Sequence, residues 1–499
     1  MSPKSALCAA CVALSAASLA HAGNEDRTIL VLLKDVPGAP TPEEVVSYTN
    51  TWPHAANPPL QAFTVKDPVG SGFLMEDRAT GDFLAWLQAN PDSARMKLET
   101  AMLTLFPSPD DVPEALAALQ ADPYVESASV PLDLDVHTAI GEVGIGAPPH
   151  PEDGTQYGWD DIGLDAAWRI TGGGYAQVAH IDAGVDIDHP AIRAFSGSLY
   201  VGGNLMSAAS KDVGLTGLPA QAGFDQTNID EAKPEWIDAG SCTPVGAPMP
   251  PALLGHGTHT AGLLGANATS GLGVSGTCGQ CGIVEYRAAF LECVETTPPQ
   301  VRSKFNFNAA DRAKAEAVDT GAQVISMSFG TPNPGTTYHC SGNLRSKPMC
   351  LTIAYAIGRD VAMVASSGNK RIDLDFPASD RRVVSVGGFQ PDLALWDESP
   401  GSATNCPPPP GHAECGSNYS WQSGGTYRTQ QELLGSSKHV LSTMYPNALW
   451  ADYAECGDAY GTPPGDGVGW CTGTSMSAAN CRCGRFAEVR ESAVADRHA

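Results

Sequence analysis

Between Val178 and Val386 the chain alternates short apolar runs with stretches of helical spacing, and this order leaves few folds open. Val178–Ile181, Ile283–Ala288, Val324–Phe329 and Val361–Ala365 read as strands, and Val383–Val386 as a short buried one. Ala309–Thr320 has helical spacing and stops at Gly321, and Leu351–Gly358 reads as a second helix. Strands and helices in this order pack as a mostly parallel sheet with helices on both faces, the α/β class. In such sheets function gathers at the carboxyl ends of the strands. Asp182 and the run Ala365-Ser-Ser-Gly-Asn369 stand at two of those ends.

The rest of the chain divides around this body. Residues 23–140 alternate strand and helix signals without a cysteine: strands at Thr28–Leu33, Leu98–Phe106 and Val125–Val136, helices at Gly81–Leu87 and Val112–Gln120. They read as a separate small α+β unit. Residues 141–158 are rich in Gly and Pro and read as a linker. The body runs from 159 to 480, with residues 196–251 and 391–430 expected as surface insertions. No internal repeat is found.

The first 22 residues have the layout of a secretory signal: Lys4, an apolar run from Ala6 to Ala20, and Ala20-His-Ala22 as a cleavage site. No later stretch is apolar over the roughly 18 residues that a membrane span needs. Cysteine use agrees with export. Of 14 cysteines, those from Cys242 to Cys471 form an even set suited to an oxidising compartment. Cys278-Gly-Gln-Cys281 has no second matching pair, which favours a structural disulfide over zinc. The formal charge of −26 disfavours nucleic acid and anionic membrane as partners.

Four segments carry residue types that acyl transfer to water requires: a nucleophile, a base, a group that orients the base, and an oxyanion site. Ile181-Asp-Ala-Gly-Val-Asp-Ile-Asp188 ends a buried strand at Asp182, while Asp186 and Asp188 are expected to be exposed. Gly255-His-Gly-Thr-His-Thr-Ala-Gly262 sets His256 between glycines at a helix start. A metal reading of His256 and His259 lacks an acid or a third histidine at the needed spacing. Asn369 offers a side-chain amide just after a strand, where removal of one oxyanion donor costs about 2.7–4 kcal/mol of barrier. Gly473-Thr-Ser-Met-Ser-Ala-Ala479 surrounds Ser475 with small residues. It is not G-x-S-x-G, so an α/β-hydrolase elbow is not supported.

Together these segments, in the order Asp, His, Asn, Ser, resemble the subtilisin-like (subtilase) serine proteases over about Trp159 to Ala479. Val324-Ile-Ser-Met-Ser-Phe-Gly330 is similar to the strand that pairs with substrate in that family. Phe376-Pro-Ala378 is similar to the segment after its oxyanion Asn, and Ala115 to Pro131 to the end of its inhibitory propeptide. The resemblance implies a subtilisin-like three-layer fold preceded by a ferredoxin-like propeptide. It implies a secreted endopeptidase made as a zymogen and active on proteins or peptides. Asp182 would orient His256, His256 would take the proton of Ser475, and Asn369 with the Ser475 N–H would hold the oxyanion. Ser328, Phe329, Gly330, Ser366, Ser367 and Gly368 would line the specificity groove. Residues 23–140 would act as an intramolecular inhibitor. No cofactor or catalytic metal is required; structural calcium is expected, with no ligands assigned, and so is a monomer.

The sequence departs from the family after the nucleophile. Ala479 stands where a Pro is usual, and residues 481–499 are charged, with Arg482, Arg485, Glu488, Arg490 and Glu491 where a buried helix is expected. Burying unpaired charges there would cost several kcal/mol each. A one-base frame change, or a truncation, is expected to account for the tail, the alternative being a native tail whose helix is simply polar. Codons incompatible with an apolar reading in the shifted frame would contradict the frame change. Three function classes follow: an endopeptidase, a catalytically impaired or purely binding protein on the same scaffold, and a secreted esterase.

Overall fold

A computed structural model describes residues 28–34, 70–73, 101–106, 108–122, 125–130, 135–136, 156–159, 161–168, 176–193, 205–206, 208–214, 226–231, 236–237, 255–267, 270, 272–278, 281–294, 300–331, 340, 348–397, 416–419, 433–444, 456–458 and 467–480. The expected signal at 1–22, the helix at Gly81–Leu87, most of the linker and the tail at 481–499 lie outside them.

Seven parallel strands form the central sheet: β1 (Gln177–Asp182), β2 (Lys211–Asp212), β3 (Gly282–Arg287), β4 (Val324–Met327), β5 (Ala362–Ser366), β6 (Val384–Phe389) and β7 (Leu433–Ser436), in the order β7-β6-β5-β4-β1-β3-β2. Four helices cover it: α1 (His256–Gly265), α2 (Phe307–Asp319), α3 (Pro348–Gly358) and α4 (Thr474–Asn480). Side chains alternate across a strand, and the two cores follow that alternation. Ala179, Ile181, Ile325 and Met327 pack with Ala309 and Ala313 of α2 and Ile353 of α3. Val178, Val324, Val364 and Val386 pack on the other face with Leu263 and Leu264 of α1 and with Met476, Ala478 and Ala479 of α4. The result is a three-layer α/β fold. Burial on both faces explains why β4 and β5 read as largely apolar runs.

The helix ends follow local chemistry. The Asn306 side chain accepts from the N–H groups of Asn308 and Ala309 and starts α2 two residues before the expected point. Gly321, at φ +89°, ends it in the left-handed region.

Residues in the expected insertions are built into the body. Lys211–Asp212 is the edge strand of the sheet, and Asp212 forms a fully buried ion pair with Arg287 of β3. Trp396, Ser417 and Asn418 are fully buried. The Asn418 Oδ1 accepts from the N–H groups of Lys370 (2.8 Å) and Ile372 (3.1 Å), so it shapes the loop after Asn369. These residues lack periodic patterning because they satisfy backbone groups at strand ends, which leaves no trace in hydropathy.

The N-terminal unit forms a four-stranded antiparallel sheet in the order Gly70–Phe73, Ala101–Leu105, Thr28–Leu33, Val125–Ser129. Along Thr28–Leu33, Ile29, Val31 and Leu33 pack with Ala115 and Leu119 of the helix Val112–Ala121. Leu30 and Leu32, on the opposite face, pack with Leu103, with Ala315 of α2 and with Leu351 of α3. Downstream, Asp135–Val136 pairs antiparallel with Phe329–Gly330, a second short strand continuing from β4. Two cysteine pairs, Cys278 with Cys281 and Cys340 with Cys350, each stand 5.4 Å apart at Cα, within disulfide range. No helix among the described residues is long and apolar enough to cross a membrane.

Candidate active site

Asp182 is the last residue of β1 and is fully buried. Its Oδ1 accepts from the Ala183 N–H at 2.7 Å and faces Nδ1 of His256 at 2.6 Å. Its Oδ2 accepts from the Thr260 hydroxyl at 3.1 Å and lies 3.4 Å from Nε2 of His180. Burial pushes the Asp182 carboxyl up, but the His256 charge and hydrogen bonds from His180 and His256 outweigh it and hold the group well below the usual carboxylate range. Asp182 is therefore an anion throughout the neutral range.

His256 is the first residue of α1, entered through Gly255 at φ +96°. Gly257 lets the helix approach, since a Cβ there would run into the backbone oxygen of Gly184, two residues beyond Asp182. Glu231 closes the start of the same helix. Its carboxyl accepts from the N–H of Gly257 at 2.9 Å, from the N–H of Thr258 at 3.1 Å and from the Thr258 hydroxyl. Burial pushes Glu231 up to about 8, against the pull of these hydrogen bonds. His259 does a different job. Its Nε2 bonds the Val440 carbonyl at 2.9 Å, and burial pulls the ring down to about 3, so it is a neutral structural histidine.

Ser475 is the second residue of α4 and is fully buried. Its hydroxyl donates to the Ser328 carbonyl at 2.8 Å, and the Ser328 hydroxyl donates back to the Ser475 carbonyl at 3.0 Å. Nε2 of His256 has no hydrogen-bond partner among the described residues. Asn369 is tied to the same turn: its Oδ1 accepts from the Thr474 N–H at 3.0 Å and the Thr474 hydroxyl at 2.8 Å. The Gly368 N–H donates to that hydroxyl at 3.1 Å, and Gly368 takes φ +102°.

The structure thus brings Asp182 to His256 by direct contact, Ser475 to Ser328, and Asn369 to the residue before Ser475. The helices that carry His256 and Ser475, α1 and α4, pack together, with Leu263 and Leu264 in one core with Met476, Ala478 and Ala479. Of the expected groove residues, Phe329 and Gly330 form the strand paired with Asp135–Val136, and the Phe329 ring packs on Phe305 at 4.4 Å. Ser366 and Ser367 are fully buried, and the Ser367 hydroxyl bonds the Asn418 carbonyl at 3.2 Å. Asp188 is exposed as expected; Asp186 is buried, because its N–H and carboxyl are folded into a turn against Thr258 and Asp188.

Several residues around the site were not singled out by the sequence: His180, Glu285, Thr260, Glu231 and Thr474. One signal was available for the first. His180 precedes Asp182 by two positions in an otherwise apolar strand, so both share a face.

The family model described as Subtilase family, Peptidase_S8, matches residues 173–493. The chain is 27% identical over 236 residues to the thermophilic serine proteinase of Bacillus sp. (strain AK1), covering 47% of this chain and 43% of that protein's length. It is 23% identical over 329 residues to thermitase of Thermoactinomyces vulgaris, covering 66% of this chain and 85% of thermitase. Among solved structures, a prenylagaramide maturation protease aligns over 64% of this chain and 76% of its own, with a TM-score of 0.35 and 19% identity. A patellamide maturation protease aligns over 64% and 82%, with a TM-score of 0.34 and 18% identity.

Proposed function

Because the chain belongs to the subtilase family, we propose that it is a secreted serine endopeptidase in which Asp182, His256 and Ser475 form the catalytic triad. The observation that carries this reading is the 2.6 Å contact between an ionised, buried Asp182 and Nδ1 of His256. That contact fixes the tautomer with Nε2 as acceptor, which is the form a general base needs. In the reaction the Ser475 hydroxyl turns from the Ser328 carbonyl to Nε2 of His256 and attacks the peptide carbonyl. The imidazolium then returns the proton to the leaving amine, and water repeats the sequence on the acyl-enzyme. Asn369 and the Ser475 N–H hold the oxyanion. The hydrogen bonds on the Asn369 Oδ1 support this role, since an amide anchored through its oxygen has its NH2 turned away from Thr474.

Substrate adds as a strand to Ser328–Gly330, with Ser366–Gly368 on the other side. Residues 23–140 act as an inhibitory propeptide. The antiparallel pairing of Asp135–Val136 with Phe329–Gly330 supports this, because it occupies backbone groups that a substrate strand would use. Export through the signal at 1–22 and disulfides at Cys278–Cys281 and Cys340–Cys350 complete the reading. The impaired-protein alternative is not favoured: the family match runs past Ser475 to residue 493, and Met476, Ala478 and Ala479 are buried in the core that α1 and α4 share.

Turnover of a fluorogenic peptide by the purified chain, run beside a simple ester, tests the reaction class. Peptide hydrolysis by the chain and its loss in Ser475→Ala is the expected result. Ester hydrolysis without peptide hydrolysis would move the protein to the esterase class.

A further inference from the structure

Behind Asp182, away from His256, lies a second charged layer in the sheet itself. His180 on β1 and Glu285 on β3 are register partners across the parallel pair, and both are fully buried. Nδ1 of His180 lies 2.5 Å from the Glu285 carboxylate. On the other side of the ring, Nε2 lies 2.9 Å from the Thr260 hydroxyl and 3.4 Å from the Asp182 Oδ2. Both ring nitrogens therefore face oxygen acceptors. The single proton of Thr260 has its own acceptors, the Asp182 Oδ2 at 3.1 Å and the His256 carbonyl at 3.0 Å, so Thr260 is available to receive from Nε2. Only an imidazolium donates from both nitrogens.

We propose that Glu285 and His180 form a buried ion pair that serves as a positioning device for Asp182, with the His180 imidazolium fixing the carboxylate's second oxygen while His256 takes the first. The arrangement solves a charge problem. A lone histidine cation beside Asp182 would neutralise the field that Asp182 exerts on His256. Glu285 balances that cation, so the layer adds donors to Asp182 without adding net charge. The titratable groups facing this layer are Glu285 from β3, Asp182 from the same strand, His256 from α1, and Glu231 at the start of that helix. Burial pulls the His180 ring down, but the Glu285 charge, followed by hydrogen bonds to Asp182 and Glu285, pushes it up to about 10. Burial pushes the Glu285 carboxyl up in turn, against the pull of the His180 charge and hydrogen bond. The protonation of the pair is fixed by the two-sided geometry of the ring and is what the experiment reads. Thr260 is the relay that binds the layer to α1, since its hydroxyl touches Asp182, His180 and the His256 carbonyl.

The inference rests on Asp182 orienting His256, but its first test needs no catalysis. In the full chain labelled with ¹⁵N at histidine, one buried ring with contacts to the Thr260 methyl is expected to carry protons on both nitrogens at pH 8. A neutral His180 ring there overturns the proposal whatever the enzyme's activity. Kinetics per Ser475 site labelled by a fluorophosphonate form the second test. Glu285→Gln is expected to lower kcat about tenfold at unchanged KM, and Glu285→Asp to recover most of the loss. Full kcat in Glu285→Gln overturns the proposal even if the protein is an active protease. If Glu285→Gln does not fold, the ring signal of the unsubstituted chain decides. Absence of any Ser475 labelling, with an imidazolium signal present, faults the triad reading and leaves the ion pair standing.

Discussion

The two halves of the site are built from different materials. The Asp182–His256 half is a layered charge network: Glu285, His180, Asp182 and His256 in series, with Glu231 against the start of α1. The Ser475–Asn369 half is neutral. Ser328, Thr474, Asn369 and Ser475 hold one another through hydroxyl, amide and backbone groups, without a formal charge. The difference follows from what each half must do. A base must meet a fixed anion, and a buried anion needs several donors to stay ionised. A nucleophile and oxyanion donors need position, and neutral dipoles held rigidly supply it at little desolvation cost.

Substitutions across the two halves can break this comparison. The largest effect is expected from Ser475→Ala, which removes the proposed nucleophilic oxygen and should lower kcat about a millionfold. Asp182→Asn keeps the shape but loses the anion, and kcat should fall about ten-thousandfold. Asn369→Leu should cost about 100- to 1000-fold in kcat with little change in KM. If Asp182→Asn cost no more than Asn369→Leu, the charged half would have no special standing. Steady-state kinetics on a single peptide checks all three.

Glu231 sharpens the comparison through stability rather than rate. Its folded value of about 8 lies above its ordinary value of 4.5. The folded protein therefore binds the extra proton between these values, and stability falls as pH rises from about 4.5 through 8. In Glu231→Gln that part of the slope should vanish. Urea unfolding midpoints at pH 5 and pH 8 measure it, and an unchanged slope would remove Glu231 from the account.

Much of the fold was legible in the sequence where burial wrote a pattern. The strands β1, β3, β4, β5 and β6 show apolar stretches because both of their faces are covered, and the segments of the proposed triad stand at strand or helix ends where glycine or small residues clear space. The missed parts obey other physics. β7 has Leu433 and Leu434 exposed and reads as no buried strand. Lys211–Asp212 is in the sheet because Asp212 pairs with Arg287, a contact between residues far apart in sequence. Asn418 and Thr474 act through a few hydrogen bonds to loop and strand-end groups, which have no periodicity. The His180–Glu285 layer depends on cross-strand register, and register between parallel strands is set by the packed fold.

The most direct test of the account is covalent labelling of the purified chain by a fluorophosphonate, with the adduct located by mass spectrometry. A single adduct is expected on Ser475, absent in Ser475→Ala and formed far more slowly in Asp182→Asn. An adduct on another serine, or labelling of Ser475 at the same rate in Asp182→Asn, would contradict it.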